Sequence, residues 1–349
     1  MKKILFVINS LSGGGAERVV EQLALYMSKK NEVHIIIFDN SMHDIQKRYP
    51  NIKVHTLNIL DKKAIIKNKY LLEKKIMQLE KNRAFDLMTV HLPYPHLLTR
   101  LTKYKTSFIF VIHTVYSRKF ERIKVLRKSI LKFIYNNMKI IAVSEGVKKE
   151  LKEDFRINAK FIEVINNPID IDLINNKKKE TIYFKRPYIC FVGRLNKIKN
   201  VDKLIKIMKE IKEMDLVILG DGEEYENLLN LVNELELQDK VYFKGWVDNP
   251  YKWMYNAKAM LSLSEYEAFP VNMIECLACN TKVIAYDCDY GPREILKGEL
   301  LKYLLNDLND DIYKEIVKRI KEEEIDYNIY ADVYDIKKIT DKYLHLEVF

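Results

Sequence analysis

Cysteine, tryptophan and glycine are scarce in this chain of 349 residues, which contains four, two and ten of them respectively. Four scattered cysteines are too few for a disulfide framework, which excludes the small cross-linked domains of secreted proteins. No apolar stretch approaches the length of a membrane span, and the apolar run 4–8 is too short for the core of a signal peptide. These absences predict an intracellular protein.

The few glycines follow a pattern. Eight of them come after strand-like runs or just before helices, at positions 13, 14, 15, 193, 220, 222, 245 and 291. Ligands of open α/β sheets bind at the carboxyl ends of the strands, so glycines there indicate close approach of the backbone to a ligand. Both halves of the chain contain such loops, which favours a shared cleft.

Short β-branched runs alternate with longer helical patterns along nearly the whole chain, which predicts parallel sheets covered by helices on both faces. We expect strands at 3–9, 33–38, 53–58, 86–91, 108–112, 139–143, 162–166, 187–193, 215–220, 240–243, 259–263 and 282–286. The predicted fold is therefore α/β, with two Rossmann-like, doubly wound domains over 1–169 and 188–330. A linker over 170–187 would join them, and a C-terminal helix within 331–349 would pack back toward the first domain.

Positive charge is concentrated in the first half, although the whole chain carries a net charge of +10. Eleven Lys or Arg lie from Arg100 to Lys139 against one acid, and eight lie from Lys62 to Arg83 against two. Apolar residues interleave the second group at close to helical spacing, which indicates a basic amphipathic helix. Such faces are usually only solvated, but their concentration favours an anionic partner, either a membrane surface or a phosphate-bearing acceptor.

Two acids, Glu267 and Glu275, bracket Pro270. Proline suits the first position of a helix, so Glu275 would lie on the helix and Glu267 in the loop before it. The N–H groups and dipole at that helix end attract an anion, which predicts a phosphate site between the two acids. One carboxylate could hold a ribose and the other a sugar attached through a pyrophosphate. A surface acid and a helix-face acid at a chance spacing are the alternative.

Two more segments contribute candidate binding residues at the carboxyl ends of strands. Arg194 and Lys199 follow the first strand of the second half, where two cations could clamp a pyrophosphate without a metal ion. A solvated basic turn is the alternative. His113 ends the strand 108–112 and could donate a hydrogen bond to a sugar hydroxyl, or it could be a structural histidine.

Other motifs argue against particular sites. The loop 12–18 lacks the third glycine of a dinucleotide-binding fingerprint, because Arg18 stands there, and no P-loop Lys-Ser/Thr follows it. Asp287 and Asp289 match a three-residue pattern of metal–diphosphate sites, but such patterns arise by chance and no metal site is expected. The C-x-x-C pair Cys276 and Cys279 has no second pair and is expected to pack in the core.

Taken together, these segments resemble family 4 of the retaining glycosyltransferases of the GT-B fold, in order over most of the chain. The first half matches at the opening loop 9–18 and at the landmarks 141–144 and 164–170. The second half matches at 191–195 with Lys199, and then at 219–222, 243–245, 264–270 and 275–279.

The resemblance implies a role for individual residues. Arg194 and Lys199 would hold the diphosphate of the donor, Glu275 its ribose hydroxyls, and Glu267 and His113 the transferred sugar. The other donor-binding residues that it implies are Gly14, Gly15, Phe269, Val271 and Asn272, with Gly15 where donor meets acceptor.

Three positions depart from the family pattern. Ala268 replaces a usual glycine beside the donor phosphates, Asn280 replaces a helix-ending glycine, and Lys282 replaces a frequent proline. None removes a charged group that the chemistry needs, so they bear on donor choice rather than on activity.

The implied function is that of a retaining hexosyltransferase. It would move a sugar from a nucleotide-sugar donor, a UDP-hexose or UDP-N-acetylhexosamine, to a glycan acceptor, expected to be linked to undecaprenyl diphosphate. The product would be a bacterial surface polysaccharide, lipooligosaccharide or glycoprotein glycan. No metal, other cofactor or nucleic-acid partner is expected.

The expected location is the cytoplasm, at the inner face of the bacterial membrane, where the basic first domain would contact anionic lipid. Two alternative functions stay open. One is a sugar-nucleotide epimerase of the same bilobal fold, and the other is a non-catalytic basic protein that binds membranes or nucleic acid.

Overall fold

A computed structural model describes residues 1–39, 49–119, 124–309 and 311–346. The chain divides into two compact units. The first contains Met1–Pro168 and Ile336–Phe349, and the second contains Ile169–Asp335. Within the described ranges, no helix is both long and apolar enough to cross a membrane.

The first unit is built on a seven-stranded parallel sheet. Its strands are β1 (Lys3–Ile8), β2 (Glu32–Ile37), β3 (Ile52–Thr56), β4 (Leu87–His91), β5 (Phe108–Ile112), β6 (Lys139–Ala142) and β7 (Phe161–Val164). Their order in the sheet is β3-β2-β1-β4-β5-β6-β7. Strands β1, β4, β5 and β6 are buried along their whole length. This explains their nearly continuous apolar sequences, which are typical of parallel strands covered on both faces.

Helices connect these strands. They are α1 (Gly15–Met27), α2 (Ile65–Glu80), α3 (Pro93–Leu101), α4 (Tyr116–Lys119), α5 (Lys124–Tyr135) and α6 (Glu145–Glu153). The apolar positions 19, 20, 23, 24 and 27 of α1 follow the helical period and are buried. Helix α6 begins after Ser144, because the Ser144 Oγ accepts a hydrogen bond from the Val147 N–H at 3.1 Å.

The second unit is built on a six-stranded parallel sheet. The strands of this unit are β8 (Tyr188–Val192), β9 (Asp215–Leu219), β10 (Val241–Gly245), β11 (Ala259–Ser262), β12 (Tyr266–Glu267), β13 (Val283–Tyr286), β14 (Asp289–Tyr290) and β15 (Leu304–Leu305). The order in the six-stranded sheet is β10-β9-β8-β11-β13-β15, and β12 and β14 form a separate two-stranded sheet.

The helices of the second unit are mostly short. They are α7 (Ile171–Lys177), α8 (Val201–Ile207), α9 (Tyr225–Glu234), α10 (Tyr251–Asn256), α11 (Val271–Ala278), α12 (Pro292–Ile295), α13 (Ile312–Lys321) and α14 (Asn328–Ala331). Three 3₁₀ turns accompany them, at Lys197–Lys199, Gly298–Tyr303 and Asp332–Tyr334.

Both sheets have the doubly wound topology that the alternation of strands and helices predicts, so the predicted fold class is confirmed. In each sheet the chain order reverses beside the first strand, between β1 and β4 in one and between β8 and β11 in the other. The carboxyl ends of the strands at such a switch point are where ligands of open α/β sheets bind.

The unit boundaries differ from the predicted domains. Residues 170–187, expected to be a linker, belong to the second unit, where the Asp170 Oδ1 caps α7 by accepting the Leu173 N–H at 2.9 Å. The first and last residues of this unit are neighbours, because Ile169 forms a β-bridge with Asp335. The last helix, α15 (Ile336–Leu344), belongs to the first unit and packs on α1.

Of the three departures named above, Ala268, Asn280 and Lys282, the last two have structural roles in the second unit. Asn280 follows α11 in the left-handed conformation, with φ of 61°, which asparagine tolerates. Lys282 is 2% exposed, and its Nζ donates to the carbonyls of residues 319, 320 and 322 at 2.9, 3.0 and 2.9 Å. These carbonyls lie around the end of α13, so Lys282 caps that helix.

Candidate active site

The candidate residues of the second unit lie at its switch point, where two loops are bound to each other. The loop after β8 carries Arg194 and Lys199, and the segment after β11 carries Glu267, which lies in the two-residue strand β12. The Asn200 Nδ2 donates to the carbonyl of residue 263 at 2.9 Å, and the N–H of residue 265 donates to the carbonyl of residue 198 at 2.9 Å. These bonds hold the predicted cations and the first predicted acid on neighbouring loops.

Lys199 and Glu267 form an ion pair between the two loops. The Lys199 Nζ contacts the Glu267 Oε1, and the Ser264 Oγ donates to the same oxygen at 2.8 Å. The two charged side chains are 19% and 12% exposed, so salt and water screen the pair only weakly. An ammonium has three N–H donors, and this contact uses one of them. A cation and a carboxylate in contact can therefore hold adjacent parts of one ligand.

The N-terminus of α11 adjoins the same loop. The helix begins at Val271, one residue later than predicted, and Pro270 precedes it as the N-cap residue. The Asn272 Nδ2 donates to the carbonyl of Val192, the last residue of β8, at 2.5 Å. The positive end of the helix dipole therefore lies beside the loop with Arg194, where it favours an anion.

Packing around Glu267 is tight. Strands β12 and β14 pair so that Glu267 lies opposite Tyr290. A Cβ on Gly291 would lie 2.5 Å from the Pro270 Cδ and 3.2 Å from the Glu267 Cβ, so only glycine fits there. Burial raises the pKa of the Cys288 thiol to about 12, and the Glu267 charge adds to this effect. Cys288 is therefore a neutral thiol rather than a nucleophile.

The other residues of the second unit that are predicted to bind the sugar donor do not take part in the Lys199–Glu267 contact. Glu275 is 1% exposed, and its Oε1 accepts a hydrogen bond from the Tyr251 hydroxyl at 3.3 Å. Phe269 is buried against the Tyr334 ring, with centroids 5.4 Å apart. Arg194 is exposed, and within the described part of the chain its guanidinium has no ion pair or hydrogen bond. Val271 is half-buried at the start of α11.

Two of the glycines serve contacts between loops. A Cβ on Gly220 would lie 1.9 Å from the Gly193 carbonyl oxygen, and one on Gly222 would lie 2.2 Å from the oxygen of residue 195. Here glycine is required because backbone meets backbone, a reason different from the predicted approach of a ligand. At Gly15 a Cβ would meet nothing within 4 Å, whereas a Cβ on Gly14 would lie 2.2 Å from the Glu17 Oε2.

In the first unit His113 follows β5 and contacts His91, the buried last residue of β4. The His113 Nε2 lies 2.9 Å from the His91 Nδ1, and the two rings stack with centroids 5.2 Å apart. Burial lowers the pKa of His113 to about 4, although the Asn167 amide opposes this shift. His113 is therefore neutral near pH 7.

The candidate metal motif and the cysteine pair have other partners. Asp287 pairs with Arg293, whose Nε donates to the Asp287 Oδ1 at 3.0 Å. Among the described residues, no three His, Cys, Asp or Glu side chains are grouped as metal ligands would be. Cys276 and Cys279 are buried free thiols, as expected for core packing. Independence from metal stays a prediction.

Comparison with known proteins decides the family. Residues 13–173 match the model Glycosyltransferase Family 4, and residues 173–333 match Glycosyl transferases group 1. A relative from Campylobacter jejuni is 32% identical over 336 residues, which are 93% of this chain and 91% of the relative. It is the N-acetylgalactosamine-N,N'-diacetylbacillosaminyl-diphospho-undecaprenol 4-alpha-N-acetylgalactosaminyltransferase.

The chain belongs to glycosyltransferase family 4. This confirms the resemblance seen in its motifs. The amylovoran biosynthesis glycosyltransferase AmsD of Erwinia amylovora is 24% identical over 321 residues, 88% of each chain. The crystal structure of Anabaena HepE in complex with UDP and glucose superposes with a TM-score of 0.81, at 16% identity and 98% coverage of both chains. At that identity the likeness shows the fold, which is GT-B.

Sequence reasoning missed two residues that contact the candidate acids, Ser264 at Glu267 and Tyr251 at Glu275. Ser264 lies in the matching segment 264–270, but no role is predicted for it. Its position as a polar residue just beyond the carboxyl end of β11 is the signal that could have indicated a role. Tyr251 lies 24 residues before Glu275, on α10, and no local pattern connects the two.

Proposed function

We propose that this family 4 protein is a retaining glycosyltransferase that uses a UDP-sugar. The observation that carries the proposal is the contact of Lys199 with Glu267 at the switch point of the second unit. In a nucleotide sugar the anomeric carbon is bonded to a phosphate oxygen. A group that binds the phosphate and a group that binds the sugar must therefore be neighbours, as these two are.

Positive charge for the diphosphate comes from Lys199, Arg194 and the N-terminus of α11. Because the protein holds these groups in place, they stabilise the charge that develops on departing UDP with little reorganisation. The exposed Arg194 guanidinium can bind a phosphate in bidentate fashion. We propose that these groups make a divalent ion unnecessary, and that Glu275 holds the ribose hydroxyls.

Retention is proposed to occur without a protein nucleophile. One Glu267 oxygen contacts both Lys199 and Ser264, and both interactions make the carboxylate a weaker nucleophile. The acceptor hydroxyl attacks the anomeric carbon from the face that UDP leaves. Its oxygen forms the new glycosidic bond, the bond to the phosphate oxygen breaks, and that oxygen takes the hydroxyl proton. Glu267 holds a sugar hydroxyl and stabilises the positive charge at the anomeric carbon.

The relatives support the choice of substrates. The name of the C. jejuni relative describes transfer of N-acetylgalactosamine to a sugar linked to diphospho-undecaprenol, and AmsD is named for amylovoran biosynthesis. HepE was crystallised with UDP and glucose. For this chain we therefore propose a UDP-hexose or UDP-N-acetylhexosamine donor and a lipid-linked glycan acceptor in bacterial polysaccharide or glycan assembly.

We further propose that α2 contacts the membrane that carries such an acceptor. Leu72 and Ile76 of α2 are buried, whereas Ile66, Tyr70 and Met77 on another face are 86%, 60% and 54% exposed. Lysines at 62, 63, 67, 69, 74 and 75 flank this apolar stripe. Each Lys near an anionic bilayer contributes about 1 kcal/mol, and the stripe adds shallow insertion. In the other basic stretch, from Arg100 to Lys139, residues 120–123 and the side chains of residues 119 and 124–127 lie outside the described part.

The proposal is tested by incubating the protein with a panel of UDP-sugars, with and without a lipid-linked acceptor. We expect UDP release and a new product only when the acceptor is present. Conversion of the donor without an acceptor would instead identify an epimerase. Absence of both turnover and binding for every nucleotide sugar would refute the proposal.

A further inference from the structure

Four lysines are buried among the described residues, and one of them differs from the others. Lys3, Lys178 and Lys282 each donate from Nζ to backbone carbonyls. Lys139, the first residue of β6, is 7% exposed, and within the described part of the chain its Nζ has no hydrogen bond or ion pair. Burying a charge without a partner is costly, and Lys139 lacks the compensation that the other three lysines have.

Lys139 lines a cavity of about 280 Å³ at the amino ends of the strands of the first unit. The other lining residues are Thr106, Asn137 and Lys160, which lie just before β5, β6 and β7. These three strands are neighbours in the sheet, so their amino ends bring the four residues together. His113 follows the opposite end of β5, which has five residues and is roughly 15 Å long. The cavity is therefore not part of the candidate active site.

Hydrogen bonds hold two of the lining loops together. The Asn137 N–H donates to the carbonyl of Asn158 at 2.7 Å, and the Lys160 N–H donates to the carbonyl of Met138 at 2.9 Å. The Asn158 N–H donates to the Asn136 Oδ1 at 2.9 Å. Because these bonds fix the loops before a ligand binds, binding costs little further ordering.

The charge of the cavity indicates the class of ligand. Burial and the charge of nearby Lys160 both lower the pKa of Lys139, so an anion in the cavity would relieve an unfavourable arrangement. All four lining side chains can donate hydrogen bonds, from two ammoniums, a hydroxyl and an amide. A phosphate monoester carries about −1.5 to −2 charges near pH 7 and balances both lysines, which a single carboxylate does not. The volume is near the lower end of ligand sites, about 300 Å³, so the bound group is small.

We propose that Thr106, Asn137, Lys139 and Lys160 form a binding site for a phosphate monoester group. The group is either inorganic phosphate or the headgroup of a lipid such as phosphatidic acid. Lys139 is the last of the eleven basic residues from Arg100 onward, so the site also supplies the anionic partner that this stretch predicts. The inference does not rest on the proposed function, because none of these residues belongs to the candidate active site.

Isothermal titration calorimetry with inorganic phosphate at constant ionic strength tests the site. Lys139→Met removes the charge and should weaken phosphate binding at least about tenfold. Lys160→Met should weaken it about threefold, because Lys160 is exposed and better screened. The matched control is Lys152→Met, which removes an exposed lysine of α6 that does not line the cavity and should change the Kd by less than about twofold. Lys199→Ala should leave phosphate binding at the cavity unchanged.

Urea unfolding shows that a loss of binding does not come from misfolding. Without phosphate, Lys139→Met should unfold at a higher urea concentration than the wild type, because an unpaired buried charge is replaced by an apolar side chain. Phosphate should raise the unfolding midpoint of the wild type but not that of Lys139→Met.

Equal phosphate affinity in the wild type and Lys139→Met, or no binding by the wild type, would overturn the proposal. Loss of binding in Lys199→Ala alone would also overturn it, because the phosphate would then occupy the candidate donor site. Displacement of bound phosphate by vesicles that contain phosphatidic acid, but not by phosphatidylcholine vesicles, would identify a lipid headgroup as the ligand. Failure of both kinds of vesicle to displace it would identify the free ion, and either of these last two results supports the site.

Discussion

Lys199 and Glu267 should have opposite effects on the affinity for a diphosphate, because the first attracts an anion and the second repels it. Lys199→Ala removes the cation and leaves the Glu267 carboxylate, 12% exposed, with the Ser264 hydroxyl as its remaining partner in this contact. The loss of the positive charge and the carboxylate that stays behind both disfavour an anion at the site. Removing one partner of a buried, hydrogen-bonded charge pair costs about 2–5 kcal/mol. The Kd for UDP should therefore rise by about 30-fold or more.

Glu267→Gln should strengthen UDP binding. A phosphate on the far side of the Lys199 ammonium would lie about 6 Å from the carboxylate, and unit charges at that distance repel by about 3 kcal/mol at an effective dielectric of about 20. Part of this gain is offset because the amide orients Lys199 less well. We expect UDP to bind at least about fivefold more tightly. Sugar transfer should nevertheless slow, because an amide stabilises positive charge at the anomeric carbon poorly.

Isothermal titration calorimetry with UDP measures both effects. The matched control is Lys197→Ala, which removes an exposed lysine from the same turn and should change the Kd by less than about twofold. The double variant Lys199→Ala/Glu267→Gln should bind UDP more tightly than Lys199→Ala alone, because the uncompensated carboxylate is gone. Unchanged affinity in Lys199→Ala, or weaker binding in Glu267→Gln, would show that this ion pair does not border the bound diphosphate.

Three further predictions concern metal, stability and membranes. Transfer should persist in excess EDTA, whereas a complete loss that Mg²⁺ or Mn²⁺ restores would show that the fixed cations do not suffice. Lys282→Met removes the cap of α13 and should lower the free energy of unfolding in urea by about 2–4 kcal/mol, while Lys318→Met on the exposed face of α13 should change it by less than about 0.5 kcal/mol. The protein should cosediment with anionic but not neutral vesicles, less so after charge reversal at Lys62, Lys63 and Lys67. Equal binding to both vesicle types would show that α2 is only a solvated face.

The strands of both sheets are predictable from sequence because buried parallel strands are continuous apolar runs between turn signals. The predicted strand 108–112 coincides with β5, and 259–263 exceeds β11 by one residue. Strands β12, β14 and β15 have two residues each, which is too short for any periodic pattern. The helix in 170–187 was missed because a weakly apolar, Lys-rich stretch has little amphipathic signal.

The residues of the candidate site were predictable one by one, but their contacts were not. Arg194, Lys199 and Glu267 follow strands, and that position is visible in the sequence. The contact of Lys199 with Glu267 spans 68 residues and exists because β8 and β11 are neighbours in the sheet. Strand order is a property of the whole unit and has no local pattern. The same holds for Tyr251 beside Glu275 and for the backbone contacts that require Gly220 and Gly222.

The stereochemistry of the reaction shows whether the sugar is transferred with retention. Proton NMR can follow one sample that contains an α-linked UDP-sugar, a lipid-linked acceptor and the protein, because anomeric protons report the configuration at that carbon. We expect the donor signal to disappear only when acceptor is present, with formation of an α-linked product and free UDP, and we expect Glu267→Gln to slow this conversion. A β-linked product, or consumption of the donor without acceptor, would exclude a retaining transferase.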